Sequence, residues 1–431
     1  MNRGVPSTSL TINGTNYKCS MLFSAGALVS MTLMATSTGS GPSNSSKLGL
    51  PEIVRSLGGQ ETAPNVVERT TKLIVHFDIN ETVLVGDDAG GDSREDSLNK
   101  ILAKSAFVKI PDGSMEMGKS MDDDDTVMPT HWWDGSTIGE SEGKVPPLYT
   151  GWDWPEGCCP YYRTAFKKRS KQFVHNNHGK PYQALYHEMQ RLVAFNHFKN
   201  DDLPDILSHL IPALFDTIQS LSERSQPVRF IFRTFGSDLP DIADAVTAFS
   251  RGQHPDYPSF VRPHLELPRE LLFRGRWKNN GTCYCLLKYD DPETVVASGD
   301  AEIVEFLDSL PMCGINDDYE FWAANKWEPW AGKPVWVPSA STWSSAEHHV
   351  LLDDNIHNLE HDSIASVRRE QDDGTYRFLS GREIQEMQGL HLIRVPTIEP
   401  ILNRQWFVEQ LDRAQAKFAA QYEQQVQDDI I

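Results

Sequence analysis

Three stretches of this chain end in side chains able to do chemistry, and each follows an apolar run of strand length. LIVHF at 73–77 leads into Asp78, Ile79, Asn80, Glu81 and Thr82. VRFIF at 228–232 leads into Arg233, Thr234, Phe235 and Gly236, and HHVLL at 348–352 into Asp353, Asp354 and Asn355. Carboxylates in such places have two uses. One can attack phosphorus or carbon and form a covalent intermediate. Several together supply the hard oxygen atoms that a divalent cation such as Mg²⁺ requires. A phosphate repels an attacking carboxylate, so the first use also needs cationic help.

The elements that must position these residues follow from the hydrophobic pattern. Short continuous apolar runs fit central parallel strands buried on both faces. Further strand candidates lie at 283–289, 335–337 and 390–395. Helical spacing appears at 95–108, with Ser93 as N-cap and Glu95 and Asp96 in the first turn. It recurs at 181–199, 202–224, about 240–250, 299–309 and 398–427. Within 202–224 the residues Leu203, Ile206, Leu207, Leu210, Leu214, Ile218 and Leu221 share one face. Strand and helix alternate, which predicts an α/β fold with a parallel sheet and helices on both faces. Ligands of such sheets gather at the carboxyl ends of the strands, where the three polar clusters stand.

In this order and setting the clusters resemble the four motifs of the haloacid-dehalogenase-like (HAD) hydrolase superfamily, across about residues 71–396. The resemblance implies a HAD-like Rossmannoid sheet with inserted cap segments. It makes LIVHFDINET motif I, with Asp78 as nucleophile, and VRFIFRTFG motif II, with Thr234 donating a hydrogen bond to a phosphoryl oxygen. Motif III is a lysine, Lys333 in AGKPVWV, with Lys326 as the alternative, and motif IV is HHVLLDDN. Asp78, Asp353, Asp354 and the backbone carbonyl of Asn80 would hold Mg²⁺. The activity implied is hydrolysis of a small phosphorylated metabolite through an aspartyl intermediate.

One position departs from the pattern. Two residues after the nucleophile, typical members of the superfamily carry a second Asp that protonates the leaving group and then activates water. Here that residue is Asn80, and an amide does no acid–base work. The alternatives are therefore a dehalogenase- or phosphonatase-like hydrolase, or an inactive HAD-like binding or scaffold protein. If the acid is replaced from elsewhere, His131, Asp134 and Glu81 are the candidates.

Composition sets the outer bounds. The chain has 431 residues, 39% hydrophobic, with a formal net charge of −20. That surface repels phosphate backbones and excludes general nucleic-acid binding. The six cysteines have no zinc-type spacing and read as reduced thiols. Residues 1–70 read as a leader and linker. Its apolar run at 21–35 is short for a membrane span, and a cytoplasmic or organellar mature protein without a span is expected. The core is expected at 71–110 and 181–400, an irregular cap at 111–180, a second insertion at 252–325 and a C-terminal helix at 401–431. MDDDDTV at 121–127, the basic stretch 163–171, and Lys100 and Lys104 read as solvated surface. His348, His349, Trp132 and Trp133 read as packing residues.

Overall fold

The computed structural model describes residues 8–12, 15–19, 71–86, 91–110, 129–139, 145–164, 167–193, 203–339, 347–356 and 363–428. The chain divides into two units, 1–70 and 71–431. In the first, Thr8–Ile12 and Thr15–Cys19 pair antiparallel, with Ile12 opposite Thr15. The run at 21–35, the acidic stretch 121–127 and the start of the 111–180 segment lie outside the described residues.

The second unit is an α/β structure on an eight-stranded sheet. Its strands in chain order are β1 (Leu73–Asp78), β2 (Val228–Thr234), β3 (Leu272–Lys278), β4 (Cys283–Lys288), β5 (Val295–Ser298), β6 (Met312–Asn316), β7 (His348–Asp353) and β8 (Leu392–Arg394). They lie in the order β8-β7-β1-β2-β6-β3-β4-β5. The first six in that order are parallel, and β4 and β5 extend the edge antiparallel. β1 is buried along its whole length, flanked by β7 and β2.

Alternation along the strands sends successive side chains to opposite faces. Leu73, Val75 and Phe77 join Phe230, Phe232, Val350 and Leu352 on one face. Four helices cover it: α1 (Arg94–Ser105), α2 (Pro212–Ser222), α3 (Leu239–Ser250) and α4 (Trp406–Asp428). Phe77 meets Phe232 at 6.2 Å and the edge of Phe407 at 5.5 Å between ring centroids. Fully burying one such ring contributes about 1.5–3 kcal/mol. On the other face Ile74 and Ile231 pack with Trp336, and Leu351 with Val335 and Val337. By the same parity Asp78, Arg233 and Asp353 belong to this second face.

Several expectations need correction. The second face carries a three-stranded sheet, Lys333–Val337, Ala365–Glu370 and Tyr376–Phe378, alongside the helix Asp300–Asp308. It is thus not covered by helices alone. The segment 252–325, expected as a second insertion, supplies β3, β4, β5 and β6 of the main sheet. β6 packs so closely that a Cβ on Gly314 would lie 2.7 Å from Leu239 Cδ1. The helix expected over 202–224 starts only at Pro212, after a 3₁₀ turn at Asp205–His209. Proline lacks the N–H that would continue the earlier turn, and fits the first position of a helix. The C-terminal helix is two, Ile398–Leu402 and α4. Ser93 does cap α1, as half of a capping box with Asp96. No helix among the described residues is long and apolar enough to cross a membrane.

Four histidines are buried in or beside the sheet: His76, His348, His349 and His391. His348 stacks on Phe418 at 4.2 Å and donates to the Leu390 carbonyl at 2.8 Å. Burial holds His76 and His391 well below the ordinary 6.5, and His348 at about 3. They fold neutral, whereas the unfolded chain takes up their protons near 6.5. Their contribution is complete above that value and is lost as pH falls through it, at about 1.4 kcal/mol per unit for each histidine. The urea midpoint is expected to fall between about pH 7.5 and about pH 5.5, and to fall less in His348→Gln. Equal midpoints at the two pH values would show that these rings are protonated in the native state.

Candidate active site

β1 ends in a tight reversal. The amides of Thr82, Val83 and Leu84 all donate to the Ile79 carbonyl, at 3.3, 3.0 and 2.9 Å. Glu81 takes a left-handed backbone conformation, φ 57°, and its N–H donates to Leu84 O at 3.1 Å. This turn brings Thr82 back over the strand end. The Thr82 hydroxyl donates to Asp78 Oδ2 at 2.9 Å and accepts the Asp354 N–H at 3.1 Å. One fully buried hydroxyl therefore joins the polar tips of β1 and β7.

Lys333 arrives from the second face as the first residue of its strand. It is fully buried, and its ammonium donates to Asp78 Oδ1 at 2.5 Å and to Asp353 Oδ2 at 2.8 Å. The ring of Phe235 lies 5.1 Å from Nζ. The remaining oxygens are also held: Asp353 Oδ1 accepts Asn355 N–H at 2.8 Å, and Asp354 accepts Asn355 Nδ2 at 3.0 Å and Lys104 at 2.6 Å. Asp78, Asp353 and Asp354 each place a carboxylate oxygen within 4.8 Å of the others, a spacing that one cation can span.

The strand bearing Lys333 is itself anchored. Arg233, fully buried, clasps Asp317 through Nε at 2.8 Å and Nη2 at 2.6 Å, and donates to the Pro334 carbonyl at 3.1 Å. Tyr284 on β4 donates to the same Asp317 carboxylate at 2.5 Å. The sheet extension thus helps fix the lysine.

Charge is crowded here. Burial and then the nearby Asp353 carboxylate push Asp78 well above the usual carboxylate range, against the pull of Lys333. Asp354 is also raised, by burial first, against Lys104. Lys333 is raised: burial opposes its charge, but Asp353 and Asp78 outweigh it. Glu81 is lowered to about 2, because Lys104 and Lys100 overcome the effect of burial.

Lys100 and Lys104 are not the solvated pair expected. Lys100 is buried and joins Glu81 and Asp92; Lys104 joins Glu81 and Asp354. Helical spacing could not reveal Lys104, because its partner is 250 residues away. Lys171, from the basic stretch, closes the chain of ion pairs on Asp92.

Thr234 and Asn80 form a second group. Thr234 Oγ1 accepts Gly236 N–H at 2.8 Å, and Asn80 Nδ2 donates to Asp238 Oδ2 at 3.2 Å. Asn316 Nδ2 holds the Gly236 carbonyl at 2.6 Å. A Cβ on Gly236 would lie 2.6 Å from Asp238 Oδ2, 2.9 Å from Asn80 Nδ2 and 3.3 Å from Thr234 Oγ1. Only glycine lets these three polar atoms converge.

The other candidates lie elsewhere. Lys326 is exposed. His131 is exposed and pairs with Thr130 at 2.8 Å, and Asp134 holds the Ser136 turn. Trp132 packs against Tyr161, Phe173 and Tyr182. Residues given no role from the sequence are Thr82, which closes motif I, and Lys104, Asp238 and Asp317, which lie outside the motifs. Of these only Thr82 carried a signal, as the threonine closing DINET.

Thr82→Val keeps the shape and removes the hydroxyl. It leaves a buried carboxylate oxygen and a buried amide each short of a partner, an expected cost of about 2–4 kcal/mol. Urea unfolding at neutral pH measures this; a loss below about 0.5 kcal/mol would mean water replaces the bridge. No protein-family profile, curated protein or solved structure matches this chain.

Proposed function

We propose that the chain is a HAD-like, Mg²⁺-dependent hydrolase of phosphatase type, acting on a small phosphorylated metabolite through Asp78. One observation carries the reading: a buried lysine bridges Asp78 and Asp353 while Asp354 stands within cation reach, all at strand ends. Three clustered carboxylates meet two lysines, Lys333 and Lys104, and Lys104 is shared with Glu81, so negative charge stays in excess, and their donors are the hard oxygens that Mg²⁺ takes. Asp78, Asp354 and the Asn80 carbonyl would hold the ion with Asp353 beside them, and when bound it withdraws charge from phosphoryl oxygens.

The chain's own residues then divide the work. An Asp78 carboxylate oxygen attacks phosphorus, the bond to the leaving oxygen breaks, and the phosphoryl group passes to Asp78. Water attacks that phosphorus, inorganic phosphate leaves, and the carboxylate returns. Lys333 stays charged and holds Asp78 in line with Asp353. Thr234 accepts from Gly236 N–H, so its own hydrogen is available for a non-bridging phosphoryl oxygen. A cavity of about 460 Å³ beside Asp238 and Leu84 has the size of a metabolite pocket.

Asn80 favours a second reading, a binding or scaffold protein that keeps the pocket without turnover. The polarity of the site speaks against carbon–halogen hydrolysis, which is served by an apolar pocket. Full-length protein with Mg²⁺ and p-nitrophenyl phosphate separates the two. Hydrolysis is expected, falling by about 10³-fold or more in Asp78→Asn and on chelation of the metal. Turnover that survives Asp78→Asn removes Asp78 from the mechanism, and no turnover by the unaltered chain favours the scaffold.

A further inference from the structure

We propose that Asp238 is the catalytic acid and base of this site, taking the role that an amide at position 80 leaves vacant. The inference rests on the hydrolase reading above and deepens it.

A phosphoester with an alkyl leaving group departs as an alkoxide, which needs a proton in the transition state. Among the acids nearest motif I, Glu81 is unsuited, because two lysines hold it ionised. His131 and Asp134 serve turns at the surface. Asp238 differs from all three. It is almost fully buried, contacts Asn80 directly, and converges with Thr234 on the bare α-carbon of Gly236. The same carboxylate lines the cavity of about 460 Å³, together with Leu84, Gly86, Ile206 and His209. It therefore stands between the residues assigned to the phosphoryl group and the space available to a leaving group.

Asn80 becomes a positioning residue. Its Nδ2 holds Asp238, while its Oδ1 is buried with no hydrogen-bond donor among the described residues. That acceptor suits the O–H of the departing alcohol or of the incoming water. The step balances as follows. Asp78 oxygen bonds to phosphorus, the phosphorus–oxygen bond breaks, and the Asp238 proton passes to the leaving oxygen, giving an alcohol. Water then attacks the phosphorylated Asp78, its proton returns to Asp238, and inorganic phosphate and the free Asp78 carboxylate are released.

The test uses leaving groups, because p-nitrophenolate departs without a proton and an alkoxide does not. Full-length chain and Asp238→Asn are compared with Mg²⁺ on p-nitrophenyl phosphate and on glycerol 2-phosphate. For the variant, the expected result is a stoichiometric burst of p-nitrophenol within about tenfold of the unaltered rate, then slow turnover. One phosphoryl group should be visible on the intact chain by mass. On glycerol 2-phosphate the loss should be about 10²- to 10⁴-fold with no phosphorylated chain. Equal losses on both substrates would assign Asp238 a structural role and overturn the proposal while leaving Asp78 in place. An unaltered chain that hydrolyses neither overturns the hydrolase reading, and this proposal with it. If Asp238→Asn melts early, the Asn80→Asp/Asp238→Asn double variant decides. It restores a carboxyl group at the same contact and should regain glycerol 2-phosphate hydrolysis, and failure to do so in a folded protein counts against the proposal.

Discussion

The molecule depends on a single buried ammonium. Asp78 and Asp353 come from adjacent parallel strands and point to the same face. Two ionised carboxylates about 4 Å apart repel by about 4 kcal/mol even at an effective dielectric of ~20. Lys333 turns that repulsion into two charge-assisted hydrogen bonds. Removing one member of such a buried set typically costs about 3–5 kcal/mol, because the others are left uncompensated. The arrangement adds little net stability compared with an apolar core. It sets where the carboxylates stand and eases the charge of Asp78 beside Asp353.

Much of the second face reads as support for that lysine. Arg233 ties the main sheet to Pro334, the residue after Lys333, and Asp317 ties Arg233 to Tyr284. On the helical side, Lys104 and Lys100 reach from α1 and hold Asp354 and Glu81. The site is thus clamped from both layers, and Thr82 closes it across the strand ends. Rigid placement of this kind is what the proposed covalent mechanism needs.

Legibility in the sequence followed the physics of each element. β1, β2 and β7 were readable because central parallel strands are continuous apolar runs, and their polar tips mark the carboxyl ends. Lys333 was readable only through resemblance, since nothing in its spacing ties it to a carboxylate 255 positions earlier. β4 and β8 were read as candidates at 283–289 and 390–395, but β3, β5 and β6 were not. LFRGRWK mixes charges into a strand, and MCGIN is five residues with a central glycine. After Leu272 and Phe273, β3 buries only Gly275 and Trp277, which leaves no continuous apolar run to see. The paired strands Thr8–Ile12 and Thr15–Cys19 lie in a stretch whose composition suggested a leader, and they were not read. Asp238 was not singled out from the sequence. It precedes α3, but its side chain makes no cap bond and turns to Asn80 instead.

The alternation of side chains along β1 and β7 carries a consequence for how this protein can change over time. Core and chemistry occupy opposite parities of the same strands: Val75 and Phe77 face the helices, and Asp78 faces the lysine. Inserting or deleting one residue inside either strand would exchange the two sets, so the hydrophobic core and the carboxylate pair are lost in one event. Asp238 escapes this coupling, because it stands on a turn outside the sheet's alternation. Sequence drift is therefore open at the loops around Asn80 and Asp238, while Asp78, Lys333 and Asp353 stay locked to the fold.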